Sequence, residues 1–208
     1  VSTGPAERLP VPANGADRPL LSPEVVDRFR RARITDALAL VCLDRGYRGA
    51  TIAHVATRAG TSRGTIYQHF ENKEAIFLAL LERVLSELEE KVDLACERAD
   101  DPLGRIEAGL GAVLAWAAAD PAAAAAVIVH SAAVSERAIA LQAEALTGFA
   151  DRLRSCSPGD RPRTSLEQLL VGGVTAILSA RLISGGAASL SELLPGLTAF
   201  LAEPLLAE

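Results

Sequence analysis

Between residues 51 and 73 the apolar positions fall into two short helical stripes joined by small residues. Ile52, Val55, Ala56 and Ala59 share one face of the first stripe, and Thr51 stands before it as an N-cap. Gly60 is the natural stop, because glycine alone takes a left-handed C′ conformation without a Cβ penalty. Thr61 or Ser62 then caps a second helix starting near Arg63, whose Ile66 and Phe70 face inward. Two helices of about two turns around a tight turn read as a helix-turn-helix. Such a unit lays the N-terminal end of its second helix in the DNA major groove.

The rest of the chain repeats the helical pattern. Ser22-Pro23-Glu24 opens a helix that runs to about Arg45 and stops at Gly46, with Phe29, Ile34, Ala37, Leu38 and Val41 inward. Asn72 caps a long helix from Lys73 to about Arg98, with Phe77, Leu81, Val84, Leu85, Leu88, Val92 and Ala95 at helical spacing. Asp101-Pro102 starts a helix to about Ala119, and Asp120-Pro121 starts a short alanine-rich one running into Val127–His130. Ser135 opens a helix to about Leu153, followed by the loop SCSPGDRPR. Two capping boxes, Thr164-x-x-Glu167 and Ser189-x-x-Glu192, open helices of roughly 165–184 and 190–206, separated by Gly185-Gly186. The expected fold class is all-α. It has a three-helix helix-turn-helix unit at the N-terminal end and six helices after it.

Composition agrees: half of the 208 residues are apolar and only 4% aromatic. No run of 18 or more apolar residues is free of charge, and the Pro-rich N-terminus lacks a signal-peptide apolar stretch, so the expectation is a cytoplasmic protein without a membrane span. A net charge of −5 would argue against nucleic acid if it were spread evenly. It is not. Residues 24–74 carry nine Lys or Arg against six Asp or Glu, and residues 75–208 carry ten against eighteen. A basic headpiece on an acidic body turns the molecule toward phosphates by one end.

The segment from Ile34 to Glu74 resembles the TetR-type transcriptional regulators. Ile34, Ala37, Gly46-Tyr47, Thr51, Val55-Ala56, Ala59-Gly60, Ser62, Gly64-Thr65, Tyr67, Phe70 and Lys73-Glu74 stand in register with that family's DNA-binding segment. Leu38, Cys42, Ala50, Thr61 and His69 depart from it, the apolar ones changing packing rather than readout. The resemblance is close over about 50 residues and extends to the remainder by architecture alone. Pro5, Pro10, Pro12 and Pro19 without apolar periodicity predict a disordered N-terminal arm (1–22); the resemblance implies a helix-turn-helix DNA-binding domain (23–72) and an effector-binding and dimerisation domain (73–208). It also implies a homodimeric repressor on a pseudo-palindromic double-stranded operator, released by a small-molecule effector. A ligand-responsive activator, an orphan regulator, and a helical carrier or enzyme without DNA binding are the alternatives.

Particular residues carry those expectations. Arg63 has the paired donors that suit guanine O6 and N7, contact with phosphate alone being its other reading, and Thr65 and Gln68 follow as base contacts. Gly64 lets backbone approach backbone. By resemblance Thr51, Ser62, Tyr67, His69 and Lys73 bind phosphates, which fixes register without reading sequence. The arginines at 28, 30, 31 and 33 are a solvated face or a phosphate contact.

In the body, Trp116 and His130 are candidate ligand-binding residues as well as plausible core residues. The helices at about 165–184 and 190–206 are apolar on most sides and therefore need partners on most sides, which suits a dimer interface. Cys42, Cys96 and Cys156 have no metal or disulfide spacing. No catalytic motif, cofactor motif or metal site is found, so the expectation is a non-enzyme with no cofactor.

Overall fold

The computed structural model describes residues 22–156 and 165–206. The N-terminal arm expected over 1–22 therefore lies outside the described residues except for Ser22, as does Thr164 of the first capping box. Among the described residues the chain is all-helical. α1 spans Pro23–Gly49, α2 Ile52–Ala59, α3 Arg63–His69, α4 Lys73–Cys96 and α5 Pro102–Ala119. α6 (Pro121–Ala125) passes into a π-helical turn over Ala126–His130 and a 3-10 turn at Ser131–Ala133. α7 covers Glu136–Ser155, α8 Ser165–Ile183 and α9 Leu194–Leu206.

Side-chain caps start these helices where the sequence places them. Ser22, Thr51, Ser62, Asn72, Asp101, Asp120 and Ser135 each accept a bond from the backbone N–H three residues on. Two glycines break the backbone in the headpiece. Gly46 (φ 67°) interrupts α1 before one further turn, and Gly60 (φ 61°) ends α2 in the left-handed conformation. The turn after Gly46 buries Tyr47, whose ring meets the edge of Phe77 at 5.3 Å between centroids. Phe77 belongs to α4, so this contact ties α1 to the helix that leads into the body.

The core is continuous through the molecule. Ile34 and Leu38 of α1, Val55 of α2, Ile66 of α3 and Ile76, Phe77, Leu80 and Leu81 of α4 are essentially inaccessible. The same cluster continues through Leu114 of α5 to Leu190 and Leu205 near the C-terminus. Alanines at 122–125 on α6 are all buried, those at 122, 123 and 124 as part of that cluster, and α1 lies against α6.

Two expectations are corrected. Phe29 is 64% exposed rather than inward. It stands a residue off the register that buries Ile34, Ala37, Leu38 and Val41. The helix expected over 190–206 begins at Leu194, preceded by a 3-10 segment at Ala187–Leu193. Ser189 does not cap it: its hydroxyl donates to Gly186 O at 3.0 Å, within the turn that follows Gly185 (φ 76°). The local turn chemistry outcompetes the capping box.

Candidate nucleic-acid interface and interior cavity

α3 is set by what it buries. Ile66 and Phe70 go into the core four residues apart, which forces Arg63, Gly64, Tyr67 and Gln68 onto the opposite, exposed face. Ser62 accepts from Thr65 N at 3.0 Å and shares a second hydrogen bond with the Thr65 hydroxyl at 3.0 Å. This holds the first turn of α3 rigid and draws Thr65 partly inward. A Cβ added at Gly64 would meet nothing nearer than the Ser62 hydroxyl, at 3.6 Å. Among the described residues no close contact requires glycine there. Thr51 is exposed and accepts from His54 N at 3.3 Å. The exposed arginines 28, 30, 33, 48 and 63 give this end of the molecule its positive charge.

Two residues expected at phosphates point elsewhere. His69 turns toward α1, where its Nδ1 lies 2.9 Å from Asp27 Oδ1, and only 10% of its side chain is exposed. Its Nε2 is buried without a partner. Lys73 Nζ donates to the carbonyls of Tyr47 and Ala50, both at 2.8 Å, and lies 4.1 Å above the centre of the Tyr47 ring. It clasps the end of α1 after the Gly46 break. On α3, His69 follows Ile66 by three residues and so shares its inward side, while Lys73 opens α4 after the extended Phe70 and Asn72. Arg31 is a further internal fastener, donating to His69 O at 2.7 Å and lying over the Phe70 ring. In sequence it belongs to the charged run 28–33, and nothing in α1 itself marks it apart. His54 also keeps its Nδ1 buried.

The body holds an apolar cavity of about 140 Å³ between α4, α5, α7 and α8. Leu88 and Val92, Leu110 and Trp116, Phe149, and Val174 line it from those four helices, and the π-helical turn contributes Val127 and Ile128. That turn is held open by side chains. Ser131 Oγ bonds Val127 O at 2.9 Å, and Gln142 Nε2 donates to the same carbonyl at 2.6 Å. Such widened turns leave carbonyls without their usual helical donors, and these bonds satisfy them.

Trp116 lines the cavity, whereas His130 does not. Burial holds His130 below the usual imidazole range, opposed by a hydrogen bond with the Cys42 backbone on α1. One end of the cavity is polar, with Arg105, Arg152, Cys96 and Cys156. Burial raises both thiols above their ordinary range and pushes Cys42 to about 11. Among the described residues no group of three or more His, Cys, Asp or Glu side chains is placed to hold a metal ion.

Comparisons with known proteins bear on both regions. Residues 34–80 match the family model of bacterial regulatory proteins, tetR family. The HTH-type transcriptional activator FasR of Mycolicibacterium smegmatis is 36% identical over 83 residues, 40% of this chain and 38% of that protein. The HTH-type transcriptional repressor KstR of Mycobacterium tuberculosis is 31% identical over 84 residues, again 40% of this chain and 38% of the relative. These alignments thus span under two fifths of the curated relatives.

Solved structures extend the likeness of fold over the body. The fatty acid degradation regulator FadR from Bacillus halodurans superposes with a TM-score of 0.74 at 20% identity, over 83% of this chain and 94% of that one. FadR from Bacillus subtilis, solved in complex with stearoyl-CoA, gives 0.71 at 18% identity over 82% and 96%. AibR, solved with isovaleryl coenzyme A and operator DNA, gives 0.66 at 16% identity over 82% and 96%.

Proposed function

We propose that this chain, which belongs to the tetR family of bacterial regulatory proteins, is a homodimeric repressor released from its operator by a ligand entering the body cavity. The observation that carries the DNA half is the outward face of α3. Arg63, Tyr67 and Gln68 are exposed there, with no hydrogen bond or ion pair among the described residues, around a glycine whose missing Cβ leaves room for a close approach. In this reading Arg63 pairs with a guanine edge, Gln68 and Thr65 read adjacent bases, and Gly64 admits the DNA backbone. Thr51, Ser62 and Tyr67 hold phosphates. His69 and Lys73, engaged inside the fold, position α3 rather than touch DNA. The chemistry proposed is binding, with no catalytic step.

α8 and α9 supply the proposed dimer interface, near the expected 165–184 and 190–206. Leu169 and Ile183 are each 70% exposed, and Ile177 and Phe200 are also uncovered. Only 22% of the most apolar window of α8 is buried within the chain, although its length and hydropathy would suffice for a membrane span. A second copy covering this face satisfies it and sets two headpieces about one helical turn of DNA apart.

The cavity suits a slim, largely aliphatic effector, because its walls are Leu, Val, Ile and aromatic side chains. The stearoyl-CoA and isovaleryl coenzyme A of the two solved neighbours support an acyl compound as the class. Binding there would favour a different headpiece separation and lower DNA affinity by about 1–3 kcal/mol.

Selection from random duplex DNA tests the reading. A pseudo-palindrome with half-sites centred about 10 base pairs apart is expected. Recovery of no motif, with binding abolished by moderate salt, would count against a sequence-specific regulator. Because one matched relative is named an activator, the sign of regulation is read from a reporter carrying the selected site. Expression rising on deletion of the protein supports repression; expression falling refutes it.

A further inference from the structure

The polar end of the cavity is also a fastening between two helices. Arg152 of α7 donates from Nε and Nη2 to the two carboxylate oxygens of Asp93 on α4, at 2.6 and 2.8 Å. Glu89, one turn back on α4, lies 3.7 Å from the same guanidinium. The guanidinium also lies over the Phe149 ring, 5.5 Å from its centre. Gly148 keeps this space clear, since a Cβ there would come within 3.1 Å of Arg152 Nη1. The pairing is mutual: hydrogen bonding with Arg152 lowers the Asp93 carboxyl below its usual range, and the same bonds raise Arg152.

Four features of this end bear on a ligand. Arg152 lines the cavity itself, together with Arg105. The paired edge of the guanidinium, the edge that best matches a carboxylate or phosphate, is already taken by Asp93. Asp93 is half exposed and loses little by being returned to water, whereas Arg152 is 28% exposed and stays beside the cavity. Cys96 and Cys156 remain neutral thiols, so no negative charge from them repels an anion at the mouth.

We infer that the effector is an aliphatic chain ending in an anion, and that the anion takes Arg152 from Asp93 and unfastens α4 from α7. The inference rests on the cavity being the effector site. α4 begins at Lys73, which clasps the end of α1, so loosening its far end frees the helix that carries the headpiece. A free carboxylate and the phosphates of an acyl-CoA share the required chemistry, and the test separates them.

Trp116, the single tryptophan and a wall of the cavity, reports occupancy by fluorescence. Dodecanoate, dodecanoyl-CoA and dodecanol are titrated, below their micelle concentrations, into the wild-type protein and into Asp93→Asn and Arg152→Gln. At least one anionic probe should bind wild type about tenfold more tightly than dodecanol. The anion that does so identifies the source. Asp93→Asn should tighten that anion's binding by about tenfold while leaving dodecanol unchanged, because the competing carboxylate is gone. Arg152→Gln should erase the preference for the anion.

Equal binding of dodecanol and both anions overturns the inference and leaves the apolar cavity reading intact. So does an anion affinity that Asp93→Asn fails to raise, a readout that stands even where Arg152→Gln does not fold. If wild type binds none of the three probes, the cavity reading falls and the inference falls with it.

Discussion

In the headpiece the side chains proposed to act point out of the fold from α3, whereas in the body they point inward around a cavity. The two arrangements demand different things of a sequence. An outward face needs only a short helix held in register, which two buried residues and one cap accomplish: Ile66, Phe70 and Ser62. A cavity needs several distant helices to leave space among them, and its walls are the same Leu, Val and Ile that would otherwise fill a core. The headpiece is therefore sensitive to single side chains, and the body to volume.

The largest effect is expected where register is set. Ile66→Ala removes a fully buried side chain and should cost about 2–5 kcal/mol of stability. Denaturant melts should show the loss, and DNA binding should fail while Trp116 still reports ligand. Loss of ligand binding together with DNA binding would show that the regions fold as one inseparable unit.

Arg63 and Lys73 sharpen the contrast within the headpiece. Lys73→Ala removes two charge-assisted hydrogen bonds to the end of α1 and should cost about 1.5–3 kcal/mol of stability, leaving the salt slope of DNA binding unchanged. Arg63→Ala should do the reverse, sparing the melt while weakening DNA binding by about 1–3 kcal/mol and relaxing preference at one base pair. A salt slope flattened by about one unit in Lys73→Ala would return that residue to the phosphates.

Volume is the test for the body. Val174→Phe narrows the cavity from the α8 side and should weaken ligand binding by about tenfold, with operator affinity in the absence of ligand unchanged. Unaltered ligand affinity would place the effector elsewhere.

The smallest effect concerns pH, at the seam between the regions. The folded state holds His130 below its ordinary value of 6.5, with burial as the main cause. A neutral imidazole is thus favoured by folding. Its contribution is complete above the unfolded value and is lost as pH falls from there through the lower folded value. His130→Asn should flatten the decline in thermal stability below neutral pH; an unchanged decline would assign it to other groups.

Most of the headpiece could be read from the sequence because its signals are local. Thr51, Gly60, Ser62 and Asn72 each act within three or four residues, and every one acts as read. What escaped depends on contacts between helices. Nothing near His69 or Lys73 in sequence announces Asp27 or the carbonyls of Tyr47 and Ala50, which arrive from α1. In the body the helix starts at Asp101, Asp120 and Ser135 were legible for the same local reason. The cavity was not, and neither was the Arg152–Asp93 fastening across 59 residues of chain. His130 looked like a ligand contact beside an apolar run. The π-helical turn there shifts the register, so that Val127 and Ile128 face the cavity and His130 does not.

Binding to the DNA flanking this protein's own gene, beside a scrambled duplex of the same length, tests the central claim most directly. Gel shifts at low and near-physiological salt should give a discrete complex that survives competitor on the native sequence alone. Equal shifts of both duplexes, lost together as salt rises, would contradict operator recognition at that site, and an empty result from random-sequence selection would then contradict the DNA-binding account itself.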